Sequence, residues 1–221
     1  MSLSPHQTKS IALTKEYVKL HLADAEGGHD WWHIYRVWQL AKRIAKTENV
    51  DLFVVELTAL LHDIADPKFY DGDEEIGPRV AEEFLHKQNI DKPTIDHVVN
   101  IIKNMSFKNS LGKVNFQSPE MFVVQDADRL DAIGAVGIAR AFNFGGFKGR
   151  PLFDPEIRPQ PNMGKEEYKK GLSPTINHFY EKLLLLKDKM NTRTGWQMAE
   201  ERHEFMEEFL GKFLAEWEGE I

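Results

Sequence analysis

The chain has 221 residues, 42% of them hydrophobic and 29% charged, a composition that suits a globular protein able to bury one sizeable core. Its 28 Lys and Arg against 35 Asp and Glu leave a net charge of −7, which argues against a broad nucleic-acid surface and leaves room for a small anionic substrate in a locally basic pocket. The absence of cysteine removes disulfides, thiolate nucleophiles and thiolate metal sites. No apolar run reaches membrane-span length, and Met1 to Lys9 lacks a signal-peptide core, so a cytoplasmic protein without a membrane partner is expected.

Apolar residues recur at helical spacing through most of the chain, with no series of alternating strands, and the pattern predicts an all-α fold. A first helix is expected from about Pro5 to Asp24, ended by Gly27-Gly28. The second opens after Asp30 as N-cap and carries Val37, Leu40, Ala41, Ile44 and Ala45 on one face, a stripe that His33 extends by one turn. The third runs from about Asp51 to Ala65, stops before Pro67, and delivers His62 and Asp63 from its last turns. Further helices are predicted over about Asp73 to Gln88, Lys92 to Ser106 and Ser118 to Ala141. From Phe144 to Pro174 the pattern changes, because this stretch holds Pro151, Pro155, Pro159, Pro161 and Pro174 together with several glycines. It is expected to be a long irregular insertion, at about 144–174, that rims the substrate pocket. Helices resume over about Thr175 to Met190 and Thr194 to Trp217, the last presenting Phe205, Met206, Phe209, Leu210, Phe213, Leu214 and Trp217 as core or subunit contact. The whole chain, 1–221, is read as a single domain, and a homo-oligomer is compatible with it.

His33, the adjacent pair His62-Asp63 and a carboxylate from the segment Asp126, Asp128 and Asp131 form a mixed nitrogen and oxygen set. Such a set suits a hard-to-borderline divalent cation with open positions for water or substrate. Asp126 follows the apolar run Met121 to Val124, but spacing alone does not choose among the three aspartates. Asp63, at the end of an apolar helix, needs a counter-charge, which a cation or an arginine would supply. His29, Arg36 and Lys68 lie close in sequence to these groups and are candidates to meet substrate phosphate. Lys103, beside Asn104, Ser106 and Lys108, and Arg140 are two further candidates.

The strings HDWWHIYRVWQLA and ALLHDIADPKF, with Asp126 downstream, resemble the H…HD…D signature of the HD-domain metal-dependent phosphohydrolases. VVQDADRLDAIGAVGIARAF and HFYEKLLLLKDKMNT are similar to the YpgQ/YedJ-like bacterial subgroup, and the likeness runs from about His29 to Trp217. The resemblance implies a helical bundle holding one divalent ion, commonly manganese with magnesium, iron, cobalt or nickel as alternatives, through His33, His62, Asp63 and Asp126. It implies a nucleotide partner and cleavage of nucleoside or deoxynucleoside triphosphates to monophosphate and pyrophosphate. It also implies a water-activating role for Asp66, three positions after Asp63, although relatives with glutamate there have a longer reach. A nucleotidase, a two-metal phosphodiesterase using His86 and His97, and a nucleotide-binding sensor without turnover are the competing readings.

Overall fold

The structure is a computed structural model, and it describes residues 3–23, 30–65, 70, 72–105, 116–160 and 173–221. Its described residues are helical and contain no strand, as the periodicity predicts. Contacts divide the chain into two compact units, Met1–Asp128 and Arg129–Ile221. Among the described residues no helix is long and apolar enough to cross a membrane.

The first unit is built around α3 (Leu52–Leu61), in which every residue from Phe53 to Leu61 is buried. Burial on all sides explains why this helix lacks an amphipathic stripe: neighbours surround it. Against it pack α1 (Pro5–His21), α2 (Trp31–Ala45) and α5 (Lys92–Asn104), and α4 (Ile76–Lys87) lies on α5. Side-chain caps set where these helices begin. Ser4 and Gln7 form a reciprocal capping box on α1, while the carboxylates of Asp30, Asp51 and Asp91 accept backbone N–H groups at the starts of α2, α3 and α5. The only polar side chains inside α3 are Glu56 and Thr58, and Trp38 Nε1 of α2 donates to Glu56 Oε2 at 2.8 Å, which satisfies a carboxylate that burial would otherwise penalise.

The helix α6 (Pro119–Asp131) is fastened to the first unit at two points. Glu120 Oε1 accepts the Asp51 N–H at 2.9 Å, and Gln125 Nε2 donates to the Met105 carbonyl at 3.0 Å. These bonds fix how α6 is rotated and how far along it lies, and therefore where its aspartates project.

The helix expected over Ser118 to Ala141 is in fact two. A turn at Ala132-Ile133 separates α6 from α7 (Gly134–Phe147), and Gly134 adopts φ +75°, a conformation that side chains with a Cβ rarely take. Gly137 allows a close approach as well, since a Cβ there would stand 2.3 Å from the Ala132 carbonyl oxygen. The irregular stretch begins after α7, four residues later than predicted, and its residues 161–172 lie outside the described set. Thr175 to Met190 also divides, into α8 (Thr175–Glu181) and a 3-10 helix (Leu183–Lys189), with Lys182 at φ −144° interrupting the α geometry. The chain closes with α9 (Arg193–Trp217), capped by the Thr192 hydroxyl. Of its predicted apolar face, Met206 and Leu210 are buried. Phe209, Phe213 and Trp217 continue into a chain of ring contacts with Phe142, Phe153 and Phe179.

Candidate metal centre

His33 sits in the first turn of α2, where Asp30 Oδ1 accepts its backbone N–H at 2.9 Å. The cap thus anchors the turn that carries the imidazole, and its side chain is 1% exposed. His62 follows the last residue of α3 with its side chain 3% exposed. Its Nδ1 lies 3.0 Å from the Ala59 carbonyl oxygen, which can only accept. Nδ1 therefore carries the proton, and Nε2 presents a lone pair. That Nε2 is buried and has no hydrogen-bond partner.

Two carboxylates complete the site. Asp63 Oδ2 is 3.6 Å from His33 Nε2 and 3.9 Å from His62 Nε2, and Asp128 Oδ1 is 3.7 Å and 4.0 Å from the same two atoms. The imidazole rings meet edge-on, with centroids 5.3 Å apart. These gaps exceed hydrogen-bond length but stay below twice a metal–ligand bond of about 2.1 Å, so one ion can touch each pair. Ligand atoms of His33, His62 and Asp128 all fall within 4.8 Å of one another. The imidazoles form a buried floor, whereas Asp63 and Asp128, at 34% and 44% side-chain exposure, form a rim that solvent reaches. A floor of neutral donors beneath a rim of two carboxylates is a site for a divalent cation that keeps positions open.

The α6 carboxylate brought to the imidazoles is Asp128, where Asp126 was expected. Residues two apart on a helix project about 200° from each other, and Asp126, in contrast to the partly exposed Asp128, is fully buried. Asp131, 2% exposed, pairs with Arg140, whose Nη1 lies 2.6 Å from Asp131 Oδ2 and also donates to the Asp131 carbonyl. That bond makes Arg140 the counter-charge of a buried carboxylate. Lys103 reaches Glu75 at 2.7 Å, and Arg36 is half-buried one turn beyond His33. His86 pairs with Glu82 on the exposed side of α4, and His97 Nε2 meets Ser118 Oγ at 2.9 Å and Glu120 Oε2 at 3.5 Å. Among the described residues neither histidine joins the cluster at His33 and His62. His29, Asp66 and Lys68 lie outside the described residues.

Residues 31–133 match the family model of the HD domain, a span that contains all four gathered groups. Over 206 residues, 92% of each chain, the sequence is 41% identical to the Bacillus subtilis protein YpgQ. The chain belongs to the HD-domain hydrolase family. Within that family its fold is shared by a Lactobacillus plantarum protein at 38% identity and TM-score 0.82, covering 99% of this chain and 100% of that one. An HD-superfamily hydrolase from Bacillus thuringiensis superposes at 41% identity and TM-score 0.76, covering 96% and 98%. YpgQ itself, solved in complex with ADP, superposes at TM-score 0.73 and 40% identity, covering 94% and 95%. An HD hydrolase is thus expected to work through a divalent metal, and the orphaned lone pair of His62 is the feature of this chain that fits one.

Proposed function

We propose that this HD hydrolase is a metal-dependent nucleotide pyrophosphohydrolase. In this reading it converts nucleoside or deoxynucleoside triphosphates and water to monophosphates and pyrophosphate. The observation that carries the proposal is the cluster of His33, His62 and Asp128, with Asp63 Oδ2 3.6 and 3.9 Å from the two imidazole Nε2 atoms and the buried Nε2 of His62 left without a hydrogen bond. The nucleotide class draws support from the ADP bound by YpgQ. Cleavage at the α-phosphorus rests on the resemblance to the YpgQ/YedJ-like subgroup.

His33, His62, Asp63 and Asp128 would hold one divalent cation, with manganese the first choice. When bound, such an ion supplies charge stabilisation at a phosphoryl oxygen and makes water a nucleophile near neutral pH. The protein contributes orientation and proton handling. The Ala59 carbonyl locks the His62 tautomer, and the Asp30 cap holds the turn of His33. Asp66, three residues after Asp63, is assigned as acceptor of the proton of the attacking water, and Arg36, His29 and Lys68 as donors to the phosphate chain. In the overall step water oxygen bonds to the α-phosphorus, the bond from that phosphorus to the bridging oxygen breaks, and pyrophosphate departs with the electron pair.

The test is an assay of manganese-loaded and chelator-treated protein against a panel of nucleotides, with pyrophosphate and orthophosphate detected separately. Triphosphates consumed with one pyrophosphate per monophosphate, and only in the loaded protein, is the expected result. Orthophosphate from monophosphates with triphosphates untouched would make the enzyme a nucleotidase. Nucleotide binding without turnover across several metals would make it a sensor.

A further inference from the structure

The outer face of α2 joins aromatic and cationic side chains that the metal centre does not use. His33, Val37, Ala41 and Ile44 turn one side of this helix into the core, and Trp32 and Tyr35 project from the other, 62% and 38% exposed. The rings of Trp32 and Tyr35 meet edge-on with centroids 6.0 Å apart, and Tyr35 also meets Trp31 and Trp38, each at 6.1 Å. Cations stand over the same cluster. Lys15 of α1 and Lys42 of α2 lie 4.9 and 4.5 Å from the Trp38 ring centroid, and Lys19 of α1 lies 5.1 Å from that of Trp31. Trp38 is anchored from within by its bond to Glu56, so the cluster is a fixed platform across both helices. Tyr35, Lys42 and Lys46 recur at helical spacing along one side, with the exposed Arg43 beside them. Helix α2 contains no acidic residue, and α1 contains one, Glu16, which pairs with Lys19 at 3.3 Å.

We propose that this face binds a single strand of nucleic acid, with bases stacking on Trp32 and Tyr35 and phosphates meeting Lys15, Lys42, Arg43 and Lys46. The whole-chain charge of −7 conceals a local excess of positive charge on α1 and α2, which complements a polyanion. Exposed aromatic rings beside cations are the two components of sequence-tolerant strand binding, since every base has a face to stack and every phosphate a charge to neutralise. From Trp32 to Lys46 the helix rises about 21 Å, room for a short run of nucleotides. A duplex keeps its bases stacked on one another and leaves the exposed rings unused. An anionic membrane fits less well, because interfacial helices bury an apolar face beside their cations. The exposed aliphatic residues of α1, Leu13 and Leu20, lie seven residues apart on one side of that helix, turned away from Lys15 and Lys19.

The experiment uses the intact chain after chelator treatment, so that it does not depend on metal at His33, His62, Asp63 and Asp128. Protein is titrated into a fluorescein-labelled oligothymidylate of about ten nucleotides, and anisotropy is read at several salt concentrations. The expected result is saturable binding that weakens as salt rises, with quenching of tryptophan fluorescence as bases stack. Trp32→Ala should weaken binding about tenfold and remove most of the quenching, whereas Trp32→Phe should keep most of the affinity. The double variant Arg43→Glu/Lys46→Glu should weaken binding about tenfold or more and flatten the salt dependence. Lys87→Glu/Lys92→Glu, the same charge change on α4 and α5, should leave both unchanged. All these positions are exposed, and wild-type melting temperatures check that each variant is folded. Absence of binding, unchanged affinity in Trp32→Ala or in Arg43→Glu/Lys46→Glu, or an equal loss in Lys87→Glu/Lys92→Glu would overturn the proposal. Tighter binding to a duplex of the same length, or to vesicles containing phosphatidylserine, would overturn it as well and assign the face to that partner.

Discussion

At the scale of single residues, the difference between Asp126 and Asp128 is the sharpest consequence of the fold. His62 could be weighed as a ligand from its place beside Asp63, and His33 from its place on an inward stripe; the fold brings the two imidazoles and Asp128 within 4.8 Å of one another. The choice of aspartate was not legible, because it depends on how α6 is rotated. That rotation is fixed by Glu120 on the Asp51 amide and Gln125 on the Met105 carbonyl, bonds between segments far apart in the chain. The prediction is direct: Asp128→Asn should weaken manganese binding by more than the ~10–100-fold that loss of an outer partner costs, and Asp126→Asn should weaken it less, as read by isothermal titration. Equal losses would restore Asp126 to the ligand set. His178 gives a second residue-scale prediction. With its folded value depressed by burial to about 3 from an ordinary 6.5, the unfolded chain binds a proton that the native one refuses between those values. Stability should therefore fall as pH drops through that window, and His178→Gln should flatten the decline of Tm with acid.

At the scale of elements, the helices announced by clear periodicity were legible: α2, with Asp30 as its expected N-cap, and α3 and α5, whose caps Asp51 and Asp91 the structure adds. The two breaks were not. DAIGAVG reads as helix because alanine and the apolar residues favour one, yet Gly134 takes a positive φ and Gly137 lies against the Ala132 carbonyl. Packing in the second unit overrides local preference there, as Arg202 both flanks Gly134 and donates to the Leu130 carbonyl. Gly137→Ala should accordingly lower Tm, because its Cβ would stand 2.3 Å from a backbone oxygen that cannot swing aside. Gly146→Ala, with open space at the same helix, should not, and equal melting temperatures for the two variants would contradict this view of the turn. On α2, Asp30→Ala should cost about 1 kcal/mol of stability in denaturant unfolding. It should also weaken metal binding, since the cap fixes the first turn, from which His33 projects.

At the scale of the whole molecule, a cation bound by the native first unit and not by the unfolded chain must stabilise it by mass action. Manganese at about 100 times its dissociation constant should add ~2.7 kcal/mol, visible as a Tm that rises with metal and falls on chelation. An unchanged Tm in a protein that turns over would mean the ion arrives only with substrate. Family membership and all-α architecture could be inferred from HDWWHIYRVWQLA, ALLHDIADPKF and the strings downstream. The division into two units could not, because its boundary, between Asp128 and Arg129, falls inside the helix α6, where no break in the pattern marks it. The account as a whole stands on four side chains meeting at one ion. Anomalous diffraction from crystals soaked in manganese tests it most directly: one peak is predicted within bonding distance of His33 Nε2, His62 Nε2, Asp63 and Asp128. No peak there, or a peak bonded to Asp126 with Asp128 turned away, would contradict it.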